Sequence, residues 1–108
     1  VLYSYITCKN IMQGILLLMT EMSCTVIGKV QGVAYRAYVQ DAATELGVTG
    51  FVKNLQDGTV RVVAQGLPDQ LRSFVEYLHE GSLLAQVEGV TVDWQAPRTT
   101  YMEFSVLH

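Results

Sequence analysis

Charge is scarce in this sequence. Charged residues make up 16% of its 108 positions, against a usual share of about a quarter. With half the residues apolar, that excludes a disordered chain, which could not bury enough surface to offset its entropy. Basic charge is scarcest. Seven Lys and Arg stand against ten Asp and Glu, for a net charge of −3. Such a chain has no general attraction for nucleic acid or an anionic membrane. Cysteine is nearly absent. Cys8 and Cys24 are too few for a disulfide scaffold and read as two free thiols of a reducing compartment. A cytoplasmic location is expected on that ground. Long apolar runs are missing too. The run from Ile15 to Met19 is far below the roughly 18 residues of a membrane span. The two histidines, His79 and His108, lie far apart, and no Cys/His cluster has zinc spacing. Nothing calls for a metal or cofactor.

What is present divides unevenly. Residues 1–22 do not share the pattern that follows. Ile15 to Met19 has no small-x-small cleavage site after it. Glu21 also spoils the faint likeness of Met22-Ser23-Cys24 to a lipoprotein site. Residues 1–22 therefore read as an added or disordered extension, with Met22 a natural start and residues 23–108 as one domain.

From Cys24 the pattern is regular. Thr25 to Val30 reads as a short β-strand. Arg36 to Leu46 carries Val39, Ala42, Ala43 and Leu46 at the spacing of one helical face, and Gly47 suits a left-handed helix end. Asp41 and Glu45 fall on the solvated side. Gly50 to Asn54 and Thr59 to Ala64 flank Asp57-Gly58, a strong hairpin signal. Val60, Val62 and Ala64 are expected to face the core. Pro68 opens a second helix, with Leu71, Phe74, Val75 and Leu78 on one face and Gly81 at its end. Val90 to Trp94 and Thr99 to Leu107 complete the strands. The order is βαββαβ with a short extra C-terminal strand. That predicts an α+β, ferredoxin-like split βαβ sandwich, with two helices on one face of an antiparallel sheet.

One loop carries the chemistry. Gly28-Lys29-Val30-Gln31-Gly32-Val33-Ala34-Tyr35-Arg36 joins the first strand to the first helix. There the first N–H groups of the helix lack partners and its dipole favours an anion. Gly32 lets successive N–H groups of residues 31 to 36 converge into a cradle. Arg36 stands at its edge with a planar fork suited to two phosphate oxygens. The loop is neither a Walker loop nor a dinucleotide fingerprint. Lys29, Arg36 and Lys53, half of the basic residues after the extension, fall in or near this loop and the hairpin, as a small-anion site would need. Asn54, at the hairpin, reads from spacing alone as a turn former. Tyr35 and Tyr38 are expected to pack inside, and His79 to sit at a helix C-terminus.

GKVQGVAYR at 28–36 and GFVKNLQDGTV at 50–60 resemble the two signatures of the acylphosphatase family. Ala43 to Gly50 and Gly81 to Trp94 resemble the segments between and after them, although Ser82 stands where the family often has Pro. The resemblance covers residues 24 to about 107. It implies a metal-independent hydrolase that needs no cofactor. The substrate would be a small acyl phosphate, cleaved to a carboxylate and inorganic phosphate. It further implies that Arg36 and the backbone of Gln31, Gly32, Val33, Ala34, Tyr35 and Arg36 hold the phosphoryl group, and that Asn54 orients the attacking water. A monomer is the expectation from size. Two rivals differ in class. One is a non-catalytic phosphate- or carbamoyl-phosphate-binding module of a larger maturation enzyme. The other is an RNA-recognition module, against which the expected central strands offer no aromatic residue.

Overall fold

Alternation of apolar and polar residues sets the sheet. The computed structural model describes residues 19–108. Its first strand, β1 (Thr20–Lys29), buries Met22, Cys24 and Val26 and turns Ser23, Thr25 and Ile27 the other way. Then come α1 (Tyr35–Leu46), β2 (Thr49–Asn54), β3 (Val60–Gly66), α2 (Pro68–Glu80), β4 (Gln86–Gln95) and β5 (Phe104–Leu107). The expected boundary after residue 22 falls inside β1, where Glu21 and Met22 are both buried. Cys8 lies outside the described residues, as does the Ile15–Met19 run apart from Met19 itself.

The strand order is β4-β1-β3-β2-β5. Register pairs Cys24 with Val62 and Val52 with Val62, so the buried residues of three strands share one face. Both helices cover that face. Val39 and Ala43 of α1 and Leu71, Phe74 and Leu78 of α2 join the sheet residues in a single core. Val60, Val62 and Ala64 are fully buried in it, as expected. Gly47 ends α1 at a φ of 75°. Phe74 meets Phe104 edge-on at 5.7 Å. Such a pair contributes about 0.5–1.5 kcal/mol beyond the area it buries, and here it fastens β5 to the core.

One feature departs from the expected antiparallel sheet. β5 pairs parallel with β2, so the sheet is mixed. The cause is the crossing between the two edges. β4 runs antiparallel to β1, and β1 and β2 both run antiparallel to β3. The chain leaves β4 at the end where β1 begins, passes beneath the sheet and turns upward. A strand starting there must run with β2. The crossing is anchored by a buried carboxylate. Glu21 accepts from Gln65 at 2.8 Å and from the Gln95 amide, while Gln65 also donates to the Thr99 carbonyl at 2.6 Å. Leaving such a buried acceptor without donors would cost about 1–3 kcal/mol or more. The pattern of apolar residues carries no information on this cluster, because Glu21 and Gln65 lie on the outer face.

Burial also fixes the chemistry of Cys24. Desolvation, with Asp93 adding to it, pushes the thiol up to about 12. The unfolded thiol ionises first as pH rises. The stability linked to it is therefore complete below the unfolded value and declines as pH rises toward the folded one. In the native protein at about pH 8, iodoacetamide should leave the Cys24 peptide unmodified, as expected of a thiol that is protonated and out of reach. In urea the same peptide should be alkylated. Peptide mass mapping reads both, and modification of the native protein would show that the core opens around β1.

Candidate active site

The loop from Val30 to Ala34 owes its shape to two left-handed residues. Gly32 has a φ of +73°, and Ala34 has a φ of 60° and ψ of 23°. For glycine this costs little. For alanine it costs roughly 1–2 kcal/mol, so the surroundings must impose it. They do so at two points. Ser82 Oγ donates to the Val33 carbonyl at 2.9 Å. The Gln31 amide donates to the Leu55 carbonyl at 2.8 Å and the Thr59 carbonyl at 2.9 Å. The strand-to-helix loop is thus pinned to the β2–β3 hairpin on one side and to the segment after α2 on the other.

The helix that follows begins bare. Ala34 supplies no side-chain cap, and the first turn of α1 has no acidic residue. The leading N–H groups of α1 and the positive end of its dipole therefore face outward with nothing to neutralise them. In front of them lies a cleft of about 290 Å³. Gly32, Ala34, Tyr35 and Arg36 line it, as the sequence predicts for the cradle. Gln31 and Val33 do not. Gln31 is turned to the hairpin and Val33 is buried. Tyr35 borders the cleft but gives its hydroxyl to the Leu78 carbonyl at 2.7 Å, and its burial raises the phenol's pKa. Tyr38 likewise donates to the Tyr77 carbonyl. Both rings pack, as expected.

Arg36 reaches from the first turn of α1 to the end of β5. Its Nη1 donates to the Leu107 carbonyl at 2.9 Å and meets His108 Nδ1 at 3.3 Å. That nitrogen is thereby turned to the end of β5. Among the described residues nothing accepts from Nε or Nη2. One edge of the guanidinium fork is fixed by the protein, and the other, with two parallel N–H groups, is free for a tetrahedral oxyanion.

Asn54 sits two positions beyond buried Val52, on the same face of β2, and lines the cleft. Its Oδ1 is buried and has no hydrogen-bond partner among the described residues. The turn-forming role open to it from spacing belongs instead to Asp57. Asp57 Oδ1 accepts from the Thr59 hydroxyl at 2.6 Å and the Thr59 N–H at 3.0 Å, and these bonds hold its carboxyl below the usual range. The expected gathering of cations is narrower than the sequence promises. Lys29 and Lys53 are exposed and line nothing here, which leaves Arg36. His79 lies in the last turn of α2, as expected. His108, Gln40 and Val106 line the cleft without having been singled out. For Val106 and His108 the signal was hidden because it depends on the direction of β5, whereas Gln40 lies one helical turn beyond Arg36 on α1. No group of three or more metal-ligating side chains occurs among the described residues, and no helix there is long and apolar enough to cross a membrane.

Comparison with known proteins bears on this geometry. The acylphosphatase family model matches residues 22–106. The chain belongs to the acylphosphatase family. An acylphosphatase from Thermus thermophilus is 47% identical over 76 residues, 70% of this chain and 86% of that protein. The structure of an acylphosphatase from Coxiella burnetii superposes with a TM-score of 0.80 at 40% identity, covering 84% of this chain and 95% of that one. A HypF structure from T. kodakarensis superposes at 0.74 with 27% identity, but the match covers only 12% of that chain. The stronger matches are thus to small acylphosphatases over most of their length, which disfavours the binding-module reading. Acyl phosphate hydrolysis is the activity of this family member, and the α+β sandwich is the fold of those relatives.

The Gln31 bonds should matter beyond stability. Gln31→Ala should lower kcat/KM for benzoyl phosphate about tenfold, from two lost hydrogen bonds of roughly 1 kcal/mol each, only partly felt at the cleft. The circular dichroism spectrum should stay unchanged. Unaltered kinetics would mean that the hairpin does not hold the loop in its working shape.

Proposed function

We propose that Arg36 and the backbone N–H groups of residues 31 to 36 bind the phosphoryl group of the substrate, and that Asn54 orients the water that attacks it. The observation that carries this reading is that Asn54, whose Oδ1 has no hydrogen-bond partner among the described residues, lines the same cleft as Arg36. A buried acceptor without a donor is costly. A water held at the cleft side of the Asn54 amide keeps a lone pair for phosphorus.

The reaction follows from these parts. Phosphoryl transfer passes through a loose transition state whose charge spreads over the equatorial oxygens, so catalysis consists mainly of positioning and charge stabilisation. The cradle and the two free N–H groups of Arg36 supply the second. Asn54 supplies the first, holding water in line with the bond to be broken. Water's oxygen bonds to phosphorus as the carboxyl–phosphate bond breaks. The carboxylate leaves with the bonding pair, without needing a proton. The water proton passes to a phosphate oxygen, and inorganic phosphate is released. None of these steps calls on a metal or cofactor. The cleft is built within one chain, which supports a monomer. The thiol usage supports a cytoplasmic setting. Residues 23–108 are proposed as the catalytic domain, with β1 reaching back to Thr20.

The two side chains should fail in different ways. Arg36→Lys replaces a fork with a point charge. It should lose both turnover of benzoyl phosphate in EDTA and inhibition by inorganic phosphate. Retention of both would remove Arg36 from the site. Asn54→Ala should keep phosphate inhibition near that of the unaltered protein while kcat falls about 10²-fold or more, the scale for losing one group that acts in the transition state. Weak phosphate inhibition with normal kcat would exclude the water-orienting role.

A further inference from the structure

We propose that His108 is a positioning residue for Arg36, and that protonation of its imidazole loosens the guanidinium and slows hydrolysis. The proposal rests on the role given to Arg36 above. Arg36 carries a long, flexible side chain, and its free edge is useful only if the other edge is held. Two groups hold it, the Leu107 carbonyl at 2.9 Å and His108 Nδ1 at 3.3 Å. They differ in kind. The carbonyl always accepts. A guanidinium can only donate, so the second contact requires a lone pair on Nδ1, that is, the neutral ring with its proton on Nε2. A protonated ring has an N–H at both nitrogens. The acceptor then disappears and two cations face each other across the same gap.

The surroundings offer little relief. α1 presents Arg36 itself and β2 presents neutral Asn54, while Lys53 of β2 is turned to the other face. Tyr35 has its hydroxyl committed to Leu78. No Asp or Glu among the described residues lines the cleft. The Leu107 bond survives protonation, so the effect is a partial loosening rather than a release. Imidazole is the side chain whose charge changes between about pH 5 and 8.

The test is the pH profile of kcat/KM for benzoyl phosphate in the full chain, His108→Ala and His108→Gln, from about pH 5.5 to 8.5, spanning the imidazole range. Ionisation of the substrate is common to all three and cancels in their ratios. At about pH 8, His108→Ala should be three- to tenfold less active, the scale for one hydrogen bond to a charged group at an exposed site. His108→Gln should be within about twofold of the unaltered chain there, because its amide oxygen can accept in place of Nδ1. On the acid side the ratio of unaltered chain to His108→Ala should fall to one or below, and His108→Gln should become the most active of the three. A ratio that stays flat, or that rises on the acid side, overturns the proposal. Arg36→Ala separates the two levels. If it stays active, the reading of Arg36 fails. If it is inactive while the ratios are flat, only the role of His108 fails.

Discussion

The parallel pairing of β5 with β2 decides which residues meet at the cleft. Both strands end at the edge of the sheet where β1 gives way to the glycine loop. Asn54 arrives on one, Leu107 and His108 on the other, and Arg36 spans from α1 to meet them. An antiparallel β5 would have brought its opposite end, Phe104, beside the loop. Leu107 and His108 would then have lain out of reach of Arg36. The direction of β5 depends in turn on the crossing beneath the sheet, and so on Glu21, Gln65 and Gln95 at the far end.

The cleft itself is made chiefly of backbone. A helix start without a side-chain cap, without an acid in its first turn and with a left-handed alanine before it is poor local design if stability alone mattered. It is good design for receiving an anion, because every missing neutraliser is an N–H or a dipole left for the ligand. The same holds for Asn54, whose acceptor is buried and unpaired among the described residues. The stability lost at these points is recovered in the core, where Phe74, Leu71 and Leu78 are fully buried against the sheet.

Much of this was legible in the residues. Alternating Val60, Val62 and Ala64 and the spaced Val39, Ala42 and Ala43 are local patterns, and local patterns survive without knowledge of tertiary structure. Gly32 and Arg36 could be placed at the cleft because loop and helix are adjacent in sequence. Three things could not be read. The direction of β5 depends on a long crossing, not on its own four residues. The pairing of Arg36 with Leu107 and His108 follows from that direction. β1 begins earlier than expected, and Glu21, though buried, keeps its alternation by lying on the outer face opposite Met22. Lys29 and Lys53 erred the other way. Nearness in sequence placed them by the loop and hairpin, but each projects to solvent and lines nothing in the cleft.

The bracing of Arg36 comes from the last strand of the sheet. On the ribosome the glycine loop, α1 and the hairpin emerge well before β5. The cradle can therefore take shape around its own local bonds while the arginine still lacks its anchor. The bracing of Arg36 thus joins parts of the chain 71 residues apart, the first turn of α1 and the end of β5.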